Sequence, residues 1–109
     1  MNVCKNEIRD AIEAELVSAN ETHPPFASLH EAHAVTREEF EEADDELMLC
    51  NEYIQKAWFC IKMDNVQGAL NYFARLKYRA ERLAMEACQM AAMAIKAEQS
   101  FSEKLGPEN

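Results

Sequence analysis

The sequence predicts an all-α protein: a short N-terminal helix plus a long antiparallel helical hairpin, one domain over residues 1–109, forming an oligomeric helical bundle. Three observations carry this. Two glycines and three prolines leave little punctuation for strand hairpins or barrels. Between Phe26 and Leu105 there is no proline and a single glycine, Gly68. Along both halves of that stretch apolar residues recur in steps of four and three, the period of a helix with one buried face. At 49% hydrophobic and 28% charged, the composition is globular rather than disordered.

In the first helix, residues 1–19, Cys4, Ile8, Ile12 and Leu16 recur every four positions with Ala11 beside them. Glu7, Arg9, Asp10, Glu13 and Glu15 fall elsewhere, so one apolar stripe results. A linker, residues 20–27, contains Pro24 and Pro25, which cannot continue a helix and constrain the residues before them. The second helix, residues 28–63, opens on Ser28 with Glu31 three positions on, the pattern of a capping box. Its seam runs Thr36, Phe40, Ala43, Leu47, Cys50, Ile54, Ala57, Ile61. At 1.5 Å per residue that helix is ~45 Å long.

Asp64 to Gly68 interrupts the seam, and Asp64 with Gln67 forms a capping pair for the third helix, residues 65–104. There Ala69, Phe73, Leu76, Ala80, Leu83, Ala87, Met90, Ala94 and Ala97 repeat the rule, widened by Ala84, Ala91 and Ile95. A tail, residues 105–109, follows with the stop Gly106-Pro107. One hairpin cannot cover two such stripes. The first helix is therefore expected to pack across it, and a second subunit to complete the bundle as a dimer or tetramer. Trp58, which a single seam does not need, then falls at a subunit contact.

The formal net charge of −9 excludes sequence-independent binding to nucleic acid, since the chain repels polyanions. A phosphorylated small molecule is still accessible if a divalent cation mediates. No apolar run approaches the length of a membrane span, and the N-terminus is charged by Lys5, unlike a leader. Cys4, Cys50, Cys60 and Cys88 lie far apart within helical patterns and read as reduced core thiols of a cytoplasmic protein.

The stretch Thr36 to Leu47, TREEFEEADDEL, holds seven acids in twelve residues. On a helical wheel they are not equivalent. Glu39, Glu42 and Glu46 form a column at the shoulder of the seam, where a neighbouring helix can face them; Glu38, Glu41 and Asp45 fall further round. On the third helix Glu86 and Gln89 flank the seam three residues apart, and Arg75, Arg79 and Arg82 precede them in the same column. An antiparallel turn near residue 65 brings Glu42 and Glu86 to nearly the same height. Two carboxylates from one helix, one from the next and an amide oxygen make a hard donor set suited to Mg²⁺ or Mn²⁺. A solvated helix surface is the competing reading of the same acids.

Glu38-Glu39-Phe40-Glu41-Glu42 fits E-E-x-x-E, and Glu86-Ala87-Cys88-Gln89 resembles an altered E-x-x-D. With the wider stretches HPPFASLHEAHAVTREEFEEADDEL and LAMEACQMAAMAIKA, residues 23–97 resemble the MazG-like all-α nucleoside triphosphate pyrophosphohydrolases, in particular small phage and bacterial members. The resemblance implies that Glu39, Glu42 and Glu86 bind the metal, with Gln89 at the fourth position and Glu38 as an adjoining helper. It implies attack of water on the α-phosphorus of a nucleoside triphosphate, releasing pyrophosphate and the monophosphate. Glu38 or Glu42 would accept the proton, and Arg79 or Arg82 would hold phosphate oxygens. Two departures stand out. Gln89 replaces an acid, and a neutral amide binds Mg²⁺ less strongly and cannot act as a base. The 43 residues between Glu42 and Glu86 exceed the family's usual spacing. An active enzyme, a degenerate one and a non-catalytic helical interaction protein, such as a phage accessory factor, are all compatible with these residues.

Other features read more simply. His30-Glu31-Ala32-His33 is not H-E-x-x-H and has no third ligand in place, so packing or capping explains it. E-x-x-H, the di-iron signature, occurs nowhere. Pairing with the acidic helix competes with phosphate binding for Arg75, Lys77, Arg79 and Arg82. Met85, Met90 and Met93 read as core or interface filler.

Overall fold

The computed structural model describes residues 4–102. Among these the chain is all-helical: α1 spans Lys5–Thr22, α2 Leu29–Lys62 and α3 Val66–Phe101, with no strand. The expected start of the first helix before Cys4, the end of the third at Lys104 and the tail with Gly106-Pro107 lie outside the described residues. No helix among them is long and apolar enough to cross a membrane. The chain divides into two compact units, Glu41–Glu86 and the described residues of Met1–Phe40 with Ala87–Asn109.

In the Glu41–Glu86 unit, α2 ends in a Schellman turn. Asp64 takes the left-handed conformation at φ 56°, its N–H donates to Ile61 O at 3.1 Å, and the Asn65 N–H reaches back to Cys60 O at 2.8 Å. Asn65 then caps α3: its Oδ1 accepts the Gly68 N–H at 2.9 Å. The cap is therefore Asn65 rather than Asp64, because Asp64 is committed to the left-handed turn. Gly68 is the close approach of this turn, where any added side chain would force a neighbour to shift. A Cβ there would lie 2.9 Å from Cys60 Sγ and 2.5 Å from the Asn65 amide nitrogen.

Beyond the turn the two helical segments run antiparallel in heptad register. Tyr53 and Tyr72 stack with centroids 6.0 Å apart. Seven positions further from the turn on each helix, Arg79 Nη1 donates to Glu46 Oε1 at 3.1 Å. This register corrects the expected seam. Ala43, Cys50, Ala57 and Cys60 are buried and Glu46 and Tyr53 half-buried, whereas Leu47, Ile54 and Ile61 are 45–54% exposed. On α3, Ala69 is buried and Tyr72, Leu76, Arg79 and Leu83 half-buried, whereas Phe73 and Ala80 are exposed. The seam keeps half of the expected positions and is rotated by one residue at the others. Small side chains let the helices approach closely, and the Glu46–Arg79 layer is satisfied by its own ion pair.

The rotation sorts the remaining residues of this unit onto two sides. Lys56 and Arg75, each three residues past its stacked tyrosine, both lie over the Tyr72 ring at 5.9 and 5.5 Å, so one flank is charged. Positions one past the layers, Leu47, Ile54 and Ile61 on α2 and Val66 and Phe73 on α3, occupy the other flank and leave it apolar. Trp58 is exposed, with Lys62 Nζ 5.8 Å from its ring centroid.

In the other unit, α1 carries its stripe only partly into the core. Leu16 is buried and Ile12 half-buried, but Ile8 and Cys4 are exposed, so Cys4 is not a core thiol. All four cysteines are free. α1 runs to Thr22 before the extended His23 and the two prolines end it. The α2 N-terminus is closed reciprocally: the Glu31 N–H donates to Ser28 Oγ at 3.0 Å, and Glu31 Oε1 accepts the Ala27 N–H at 2.8 Å. Phe26 is buried, and its N–H donates to Ser100 Oγ at 3.1 Å, which pins the linker to α3. On α3 the expected Ala94 is exposed, whereas Ala92 and Lys96, two positions to either side of it, are buried.

Candidate functional site

Glu42 and Glu86 belong to the Glu41–Glu86 unit, and Glu39 stands three residues before Glu42 on the uninterrupted helix α2. One carboxylate oxygen from each of Glu39, Glu42 and Glu86 lies within 4.8 Å of the other two. Glu86 is buried, Glu39 half-buried and Glu42 exposed, so the group opens toward solvent on the Glu42 side.

The neighbouring cations are held by Glu46. Arg79 Nη1 bonds both its oxygens, at 3.1 and 3.4 Å, and Arg82 Nε lies 3.6 Å from Oε1. Arg82 also extends Nη2 to within 4.0 Å of Glu86 Oε1. Both arginines thus pair with the acidic helix. Gln89 is half-buried, one turn beyond Glu86 on α3. Glu38 is exposed and outside the three-carboxylate group. His30 and His33 are exposed and belong to no such group among the described residues.

The donor set fits a hard divalent cation. An octahedral ion with ligands at 2.0–2.1 Å separates opposite oxygens by about 4 Å, so a spread of 4.8 Å closes with small side-chain rotations. Three carboxylates at this separation repel by about 1 kcal/mol per pair in water, and by more where burial lowers the dielectric. A cation reverses that sign. Sequence reasoning missed Glu46 as the residue that holds Arg79 and Arg82; its place in the same column as Glu39 was the available signal. No protein-family model, curated protein or solved structure matches this chain.

Proposed function

We propose that the protein is a Mg²⁺- or Mn²⁺-dependent nucleoside triphosphate pyrophosphohydrolase of MazG-like type, working as a homo-oligomer. The observation that supports this reading best is the convergence of Glu39, Glu42 and Glu86, acids from two helices far apart in sequence, within 4.8 Å. These three residues would hold the cation, and the Gln89 amide oxygen is the candidate fourth donor. When bound, the cation neutralises phosphate charge and makes water more acidic. Glu42, the exposed member, or Glu38 beside it accepts a proton from the attacking water. Arg79 and Arg82 are the phosphate-binding candidates, and engaging a phosphate requires them to exchange Glu46 for it. Glu46 stores the guanidiniums in the absence of substrate.

The test is incubation with mixed nucleoside triphosphates and Mg²⁺ or Mn²⁺, reading pyrophosphate and monophosphate. Release that disappears in Glu42→Ala while the variant stays folded supports the enzyme. Tighter metal binding in Gln89→Asp would mark position 89 as a weakened ligand.

A second reading, a non-catalytic helical interaction protein, is favoured by the apolar flank of the Glu41–Glu86 unit. Absence of product from every nucleotide, with no thermal shift on adding either metal, would leave that reading standing.

A further inference from the structure

Lys96 is a buried lysine, 3% exposed, in a chain of net charge −9. Among the described residues no carboxylate lies within ion-pair distance of it. Its Nζ sits 5.0 Å from the centroid of the Phe26 ring, a contact that partly offsets the cost of drawing a lysine side chain largely out of water. Lys96 lines two clefts within its own unit. One, of about 230 Å³, is lined by Asn20, His23, Pro25, Lys96, Gln99 and Ser100, with no acid among the described residues. The other, of about 260 Å³, shares His23 and Lys96 but includes Glu31, whose Oε1 is engaged by the Ala27 N–H.

We propose that this first cleft binds a small oxyanion, a phosphate group, with Lys96 as its counter-ion. Asn20 and His23 supply donors from one wall, Lys96 and Gln99 from the other. Ser100 takes no part, since its hydroxyl donates to Lys96 O at 2.7 Å and accepts the Phe26 N–H. Donors on two walls match a tetrahedral group better than a planar carboxylate, which presents two oxygens. At about 230 Å³ and open to solvent on one side, the cleft has room for a phosphate group. The Phe26–Ser100 bond ties the linker to α3 beside Pro25, which lines the cleft, so the backbone carrying its two sides is held together before binding. This site shares no residue with the Glu39–Glu42–Glu86 group and stands or falls separately from it.

The experiment titrates inorganic phosphate against the full chain at constant ionic strength, reading Tm and ³¹P line width, with sulfate and acetate as parallel arms. The expected result is a saturable rise in Tm and ³¹P broadening with phosphate, reproduced by sulfate and weak with acetate. Lys96→Met should remove the response while matching or exceeding the wild type in stability in anion-poor buffer. His23→Gln and Gln99→Ala, at exposed positions where folding is not at risk, should each weaken phosphate binding several-fold. No saturable response in the wild type, an equal response in Lys96→Met, or saturation by acetate alone would overturn the proposal.

Discussion

Arg79 and Glu46, 33 residues apart in sequence, share a bond in which Nη1 reaches both carboxylate oxygens, with the Glu46 side chain 12% exposed. Glu46 occupies a layer position between Ala43 and Cys50, where an apolar side chain would ordinarily stand. The guanidiniums of Arg79 and Arg82 are what make its burial tolerable. Glu46→Ala should therefore cost about 2 kcal/mol, above an exposed ion pair and below a fully buried one. Glu46→Met, which refills the layer, should cost less than half of that. Urea unfolding of both variants checks the order. An alanine variant as stable as the wild type would show that the pair contributes only surface charge.

Two substitutions around the turn should act with opposite sign. Asp64 holds φ 56°, a conformation that glycine adopts without a Cβ penalty, so Asp64→Gly should stabilise by about 1 kcal/mol. Gly68→Ala would stabilise an ordinary helix interior by roughly 0.5–1 kcal/mol. Here the new methyl meets buried Cys60 Sγ and the capping Asn65, and the net effect should be a loss of about 1–2 kcal/mol. Chemical denaturation of the pair reads both signs in one experiment.

The acidic group makes a prediction that needs no substrate. In a chelating buffer Glu42→Gln should raise stability by about 0.5–1 kcal/mol, because it removes one of three negative charges packed within 4.8 Å. Adding Mn²⁺ should raise Tm in the wild type and leave the variant nearly unchanged. A glutamine variant that is destabilised without metal, in a wild type indifferent to Mn²⁺, would argue that the three carboxylates are structural.

The helices and the turn were legible because their signals are local: proline and glycine spacing, a Ser28–Glu31 box, a break after Met63. The convergence of Glu39, Glu42 and Glu86 was legible because helical period and turn position together fix which residues meet. The choice of seam was not. Phe40, Leu47, Ile54 and Ile61 satisfy a heptad as well as Glu39, Glu46, Tyr53 and Cys60 do, and hydrophobicity favours the former set. What decides is close approach at Ala43, Cys50 and Ala57, together with partners for the polar layers that lie on α3, a non-local fact. The paired arginines illustrate the same limit, since a basic column beside an acidic one states that charges can meet but not which pairs form.

The large apolar residues displaced from that seam carry the last prediction. Leu47, Ile54 and Ile61 with Val66 and Phe73 make one continuous flank of the Glu41–Glu86 unit, each 45–70% exposed. A monomer that exposed this stripe would hold an unusually large apolar patch in water. If a second copy covers it, Ile54→Glu and Leu47→Glu should shift the protein toward monomer in sedimentation velocity. Helical content should survive, because neither side chain faces the intrachain seam. Cys50→Glu, one turn away but inside the seam, should instead unfold the hairpin, since it buries a charge between two helices without a partner. The contrast separates a self-association surface from a merely exposed one. A wild type that sediments as a monomer at every concentration would remove the second copy, and the apolar flank would then belong to a different partner.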